Sequence, residues 1–295
     1  MKQLTIYQIS YNRVGYEEAD IKEEEYKEAI MNYDENGLPV REEHFNPDGS
    51  RNTLIVNQYN EDKKLSISNA YDAEDILEQQ LTYFYDEQGH VVKKGVQYGE
   101  DSPVYYTHFL YENGLLLRQD SYDEDEFAYT EKTFEYQGEK LVKETEFTED
   151  EDVLYLKEYC YNDKGLIIKH IRNEVLVKDR RTYIYEYDNA DNKIKELILN
   201  YDGELIAKTY FTYTENNLLA VNEYEDLDKY KKICYQYEGE KYIKVEEFDK
   251  EENLIQWEEY TYDKDGNPCL IDTYHRDEVN PTTYRKVSTT KSIIE

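Results

Sequence analysis

The sequence predicts an all-β fold: an antiparallel β-meander of about 20 strands, curled into a spiral, arc or tube. Three observations carry this. A tyrosine followed by turn residues recurs with a period near 25 along the 295 residues, a second aromatic stands two residues before it, and another turn signal falls halfway between. Self-similarity at such a period marks a repeat architecture in which each unit is one supersecondary element.

The recurring tyrosines are Tyr33, Tyr59, Tyr85, Tyr111, Tyr136, Tyr161, Tyr187, Tyr213, Tyr237 and Tyr262, spaced by 26, 26, 26, 25, 25, 26, 26, 24 and 25 residues. Counting back 26 from Tyr33 reaches Tyr7, so residues 1–32 read as a degenerate opening unit. Residues 33–275 form the repeats and 276–295 a tail or cap, the whole being a single repeat domain. With only five prolines and no Gly/Ser- or Pro-rich linker, nothing in the composition divides it.

From Tyr85 onward each anchor is preceded at minus two by Tyr83, Phe109, Phe134, Tyr159, Tyr185, Phe211, Tyr235 or Tyr260. A spacing of two puts both rings on one face of an extended strand. Polar residues and Gly follow, then short β-favouring runs such as Gly37–Val40, Gly165–Ile168 and Asn217–Leu219, which is a strand, a tight turn and a strand. Asp after the anchor can bond the backbone two residues on, and Gly supplies the positive φ that a hairpin turn needs.

The second turn of each unit shows in Asn46–Gly49, Asp72–Asp75, Asp123–Glu126, Glu149–Asp152 and Asn200–Gly203. Residues 17–30 are rich in Glu, Lys and Ala and locally favour a helix, but the repeat frame makes them a strand, with Met31 in place of the aromatic before Tyr33. Strands of roughly nine residues or fewer are expected throughout. An open sheet of this many strands curls, which turns the Tyr-x-Tyr face inward.

Composition fits a core of this kind. Leu, Ile, Val and Phe supply 66 residues, about 22%, while tyrosine alone supplies 34, so tyrosine must build much of any core. The formal charge of −32 disfavours nucleic acid and anionic membranes as partners. Without a signal-peptide core or a long apolar run, a cytoplasmic protein is expected.

Chemistry is sparse. Cys160, Cys234 and Cys269 have no metal-ligand spacing and read as reduced structural thiols. His44, His90, His108, His170 and His275 lie in different repeats and read as packing or solvated side chains. Asp263–Gly266 and Asp188–Asn192 resemble calcium loops, but an EF-hand would need a bidentate Glu where Tyr274 stands. Acid pairs spaced for glycoside chemistry are unavoidable among 67 carboxylates and therefore say nothing. No nucleophile, phosphate cradle or dinucleotide fingerprint is present, so the expectation is a non-enzyme with no metal and no cofactor.

The recurring Tyr-Asp-x-x-Gly, preceded by an aromatic pair as in Tyr83-Phe-Tyr85-Asp86 and Tyr185-Glu-Tyr187-Asp188, resembles the YD repeat of Rhs-type proteins and teneurins over roughly residues 33–275. That resemblance implies antiparallel strands winding into a spiral sheet. Members of that family usually build large shells around a C-terminal toxin or cargo. Here only about 20 residues follow Tyr274, which leaves no cargo domain, and the Arg often seen after the turn glycine is replaced by Leu38, His90, Leu115, Leu166 and Asn267.

Charge placement is the most informative feature. Anchor turns interleave lysine with acids, as at Lys63, Lys64, Lys140, Lys164, Lys193, Lys241 and Lys264. Four half-period turns do not: Asp72, Glu74 and Asp75; Glu100 and Asp101; Asp123, Glu124, Asp125 and Glu126; and Glu149, Asp150, Glu151 and Asp152 carry thirteen carboxylates and no base. Alternate turns of a meander share an edge about 10 Å apart, so these would form an acidic row. Such a row can keep other sheets away, or it can capture a basic protein such as a toxin. The expected function is an acidic inhibitor or immunity-type binding protein, monomeric when alone. The alternatives are a structural scaffold and a carbohydrate-binding module using exposed tyrosines.

Overall fold

The computed structural model describes residues 2–14, 21–122, 128–277 and 283–294. These form twenty-two strands of one antiparallel sheet, and contacts divide the chain into two compact units. The strands are β1 (Lys2–Arg13), β2 (Ile21–Tyr33), β3 (Pro39–Phe45), β4 (Arg51–Tyr59), β5 (Leu65–Tyr71), β6 (Leu77–Tyr85), β7 (Val91–Gln97), β8 (Val104–Glu112), β9 (Leu115–Tyr122), β10 (Ala128–Gln137) and β11 (Lys140–Thr148). They continue as β12 (Val153–Tyr161), β13 (Ile167–Glu174), β14 (Asp179–Tyr187), β15 (Lys193–Leu199), β16 (Leu205–Tyr213), β17 (Leu219–Asp226), β18 (Tyr230–Glu238), β19 (Lys241–Phe248), β20 (Leu254–Tyr262), β21 (Pro268–Arg276) and β22 (Tyr284–Ile294).

The first unit comprises Met1–Glu78, Leu218–Val221 and Lys231–Glu295. Its strands pair in the order β18, β19, β20, β21, β22, β1, β2, β3, β4, β5. The first and last strands of the chain are thus hydrogen-bonded neighbours, with Leu4 opposite Ile294 and Ser10 opposite Ser288. The second unit, Gln79–Asn217 with Asn222–Tyr230, runs in sequence order from β6 to β16.

The helix-favouring stretch is strand from Ile21 to Tyr33, and its first residues lie outside the described ones. Tyr33 Oη reaches Met31 Sδ at 3.6 Å, so methionine does fill the aromatic position. The expected ceiling of nine residues per strand fails at β1, β2, β10 and β22, which have 12, 13, 10 and 11. Three of these, β1, β2 and β22, pair with one another.

A β-bulge stands immediately before the anchor tyrosine in every repeat whose register is described, as at Asn32/Tyr33, Cys160/Tyr161 and Thr261/Tyr262. An extra residue on one strand sharpens twist and re-aims the following side chain. The long anchor turns close on an Asx cap: Asp34 Oδ1 accepts from the amides of Asn36 and Leu38 at 2.8 Å each, and Gly37 takes φ +80°. Asn113 and Gly114, with φ of 53° and 80°, form instead a two-residue hairpin of the type that favours Asn-Gly. The shorter loop removes one residue and accounts for the 25-residue spacing from Tyr111 to Tyr136.

Side-chain burial follows the period of two. The residue between the paired aromatics is exposed in all eight repeats (Phe84, Leu110, Glu135, Cys160, Glu186, Thr212, Gln236, Thr261), while the aromatics flanking it are at least partly covered. Among the described residues the buried apolar side chains are small or few: Ala29, Leu54, Leu77 and Ala207. Half-covered tyrosines therefore carry the packing, as the composition requires.

Candidate functional site

The two turn-bearing ends of the sheet differ in chemistry, and the difference begins with the anchors. Tyr161 Oη donates to Leu141 O at 2.6 Å, Tyr187 to Ile167 O at 2.7 Å, and Tyr59, Tyr213 and Tyr262 to Pro39, Lys193 and Tyr242 at 2.8 Å. Each anchor thereby closes onto the start of the strand twenty residues earlier. Burial raises the phenol of Tyr161 and, with the nearby Glu196 charge, that of Tyr187, and burial pushes Tyr159 up to about 12, so these groups stay protonated donors. Neighbouring anchor turns are tied together as well, by Lys164 Nζ to Asp191 Oδ1 at 2.6 Å and Asn192 Nδ2 to Asn217 Oδ1 at 3.2 Å.

Further along the same face the second unit carries a band of paired charge. Lys132 lies 3.6 Å from Glu144 and 3.1 Å from Glu146, and Lys157 lies 3.6 Å from Glu144. Arg172 pairs with Glu174 and Arg181 with Asp179. Lys157 and Arg172 also sit over the Tyr155 ring, 5.1 and 5.6 Å from its centroid. Between this band and the anchors lies His170, stacked on Tyr183 with centroids 4.1 Å apart and bonded through Nδ1 to Tyr185 Oη at 2.9 Å. Burial lowers its pKa, which makes it a packing histidine. His90 likewise stacks on Tyr111 and meets Asp86 at 3.0 Å.

The acidic row is only partly assembled. Asp123, Glu124, Asp125 and Glu126 lie outside the described residues. The turn of Asp72, Glu74 and Asp75 belongs to the first unit, whereas Glu100, Asp101 and Glu149–Asp152 belong to the second. Two members of the first group are engaged, which corrects the reading of them as uncompensated: Asp75 pairs with Arg51 from β4, and Asp72 Oδ1 caps its own turn through the amides of Glu74 and Ile76. A base outside the turn sequence could not be seen from the turn alone. Glu100, Asp101, Glu149, Asp150, Glu151 and Asp152 are exposed and form no ion pair with a described residue. The turns at 98–103 and 149–152 join β7 to β8 and β11 to β12, so they share one end of the unit.

Apolar tips at these half-period turns are absent from the sequence reading. Leu176 is 71% exposed, Val177 68%, Tyr201 68% and Leu227 84%, with Tyr98 also exposed. The signal existed: Val175-Leu-Val177 occupies the place where the repeat calls for a polar turn. Val175 N donates to Leu154 O at 3.0 Å, drawing this turn toward β12. A cavity of about 390 Å³ adjoins it, lined by Leu154, Leu176 and Val177 together with the paired charges of Lys132, Lys157, Glu144, Glu146 and Glu174.

In the two loops that resemble calcium sites the first carboxylate caps its own turn. Asp188 Oδ1 accepts from Ala190 and Asn192, and Asp263 Oδ1 from Asp265 and Asn267. The three cysteines are unpaired, and Cys160 is exposed rather than structural.

No family model matches the chain, and no curated protein matches it. Among solved structures it is similar to a porin-like protein from Bacteroides uniformis, at 10% identity over 99% of this chain and 97% of that one, with a TM-score of 0.37. A porin-like protein from Bacteroides vulgatus aligns at 10% identity over 97% and 96%, TM-score 0.24. A TcdB2–TccC3–Cdc42 complex aligns at 10% identity over 84% of this chain, which spans 19% of that chain's length, TM-score 0.26.

Proposed function

We propose that the chain is a non-enzymatic binding protein of inhibitor or immunity type that captures a basic protein. The observation that carries this is a concentration of exposed acids: Asp191 of an anchor turn pairs with Lys164 and Asp188 caps its own turn, whereas Glu100, Asp101 and the four consecutive acids Glu149–Asp152 form no ion pair with a described residue. Like charges gathered within about a Debye length repel one another, and a cationic partner relieves that repulsion while gaining encounter rate. Resemblance of the repeat to arrays found in toxin-delivery systems supports the same reading by analogy. Residence in the cytoplasm and a monomeric free state belong to this reading.

The test is capture from a lysate at low and high ionic strength by wild type and by a charge variant, Glu100→Gln, Asp101→Asn, Glu149→Gln, Asp150→Asn, Glu151→Gln and Asp152→Asn. A basic protein retained by wild type at low salt, and released by salt or by the substitutions, is the expected result. Equal retention by both forms at both salts assigns the carboxylates to solubility alone.

A further inference from the structure

Polar residues are the ordinary choice at hairpin tips, because Asp, Asn and Gly satisfy the turn backbone at little cost. The anchor turns of this chain obey that rule throughout, as in Asp34–Gly37, Asp86–Gly89 and Asp263–Gly266. Four described half-period turns of the second unit break it, with Tyr98, Leu176, Val177, Tyr201 and Leu227 at or beside their tips and more than half exposed. One repeat thus yields a polar end and an apolar-acidic end. Three of the latter turns follow each other along the sheet, since β11 to β16 pair in sequence. Glu149–Asp152, Val175–Lys178 and Asn200–Gly203 therefore stand about 10 Å apart in that order.

We infer that these apolar tips form a docking surface for an amphipathic basic protein segment, with Leu176 and Val177 as its central anchor. The inference rests on the proposed capture of a basic partner and names what that partner must carry beside its charge. Complementarity selects the occupant. The carboxylates of the 149–152 turn lie on one side of the apolar turn and Asp202 lies on the other, whereas Glu144, Glu146 and Glu174 of the adjoining cavity are already paired with Lys132, Lys157 and Arg172. An arginine or lysine of the partner can lay its aliphatic stem against Leu176 and Val177 while its cationic head reaches the carboxylates of the two flanking turns. A second copy of the chain brings the same negative charge, and an anionic lipid surface repels it. Interfaces concentrate their energy in a few such apolar anchors rimmed by polar contacts.

The test uses the full chain and two fluorescent peptides of equal length and equal arginine content, one with leucine and one with serine at the remaining positions. Binding is read by anisotropy for wild type, for Leu176→Ser/Val177→Ser and for the charge variant, each first shown by circular dichroism to keep its strand signal. Wild type should prefer the leucine peptide, and the double variant should lose about tenfold or more for it while holding the serine peptide within about twofold. That loss should persist at high salt. The inference is overturned if wild type shows no preference, if the double variant binds the leucine peptide like wild type, or if neutral phosphatidylcholine vesicles retain wild type and not the variant. Failure of the underlying proposal looks different: salt and the charge variant would then leave both peptides unchanged.

Discussion

The hydroxyl of Tyr161 donates to the backbone carbonyl of Leu141 at 2.6 Å, joining the end of β12 to the start of β11 at the same edge of the sheet. This bond gives the recurring tyrosine a reason beyond ring packing, because phenylalanine would fill the space and leave the carbonyl without its donor. Tyr161→Phe should therefore destabilise the protein by about 1 kcal/mol. Urea denaturation measures it; an unchanged midpoint would reduce the anchor to an apolar ring.

Asp188 and Asp263 hold their pKa values below the ordinary 3.8, Asp188 first through the Asn192 side chain and then its amide, Asp263 first through the Asn267 amide. For a carboxyl lowered by folding, the contribution to stability is present above the unfolded pKa and lost as pH falls through the folded one. Asn162 and Asn200 cap equivalent turns without a titrating proton. Asp188→Asn/Asp263→Asn should flatten the loss of thermal stability below about pH 4, as scanning calorimetry at several pH values would show. Parallel curves for wild type and variant would exclude the mechanism.

His170 gives a second titration with its own window. Burial against Tyr183 lowers its pKa from 6.5, so protonation opposes the fold. Its contribution is full above the unfolded value and fades as pH drops through the lower folded value. The imidazole resonances of His170 should shift with a midpoint below 6.5. A midpoint at or above that value would mean the stacked ring is open to water.

Arg13 and Asp277 meet through two bonds, at 2.8 and 3.0 Å, with Asp277 almost fully covered. Asp277→Ala leaves a guanidinium without its counter-charge and should cost about 2 kcal/mol. In a double-mutant cycle with Arg13→Met the two changes should be coupled by about 1 kcal/mol or more. Additive losses would show that the pair contributes only as two separate side chains.

Much of this molecule was legible because its physics repeats. Tyr-x-Tyr spacing reported a strand face, Asp and Gly reported turns, and both readings hold at nearly every unit. The outermost strands were harder: β1 and β22 lack the aromatic pair and are defined by pairing with each other across nearly the whole sequence, from Leu4 with Ile294 to Ser10 with Ser288, a relation no local pattern encodes. The acids were legible by count but not by use, since Asp75 finds Arg51 on another strand and Asp72 is consumed as a cap. Apolar tips were missed because Val175–Val177 looks like the β-favouring run of a strand, and only the hairpin geometry leaves those side chains in water.

Pairing of β1 with β22 has a further consequence. Leu4 faces Ile294 directly, so the start of β1 and the end of β22 lie within the reach of a short linker. A circular permutant that joins the ends through a Gly/Ser linker and opens at Asp62–Lys63, in an exposed anchor turn between β4 and β5, should fold with the same strand pairing. In that permutant β22 and β1 become consecutive members of one meander, and a pairing between distant segments becomes a local one.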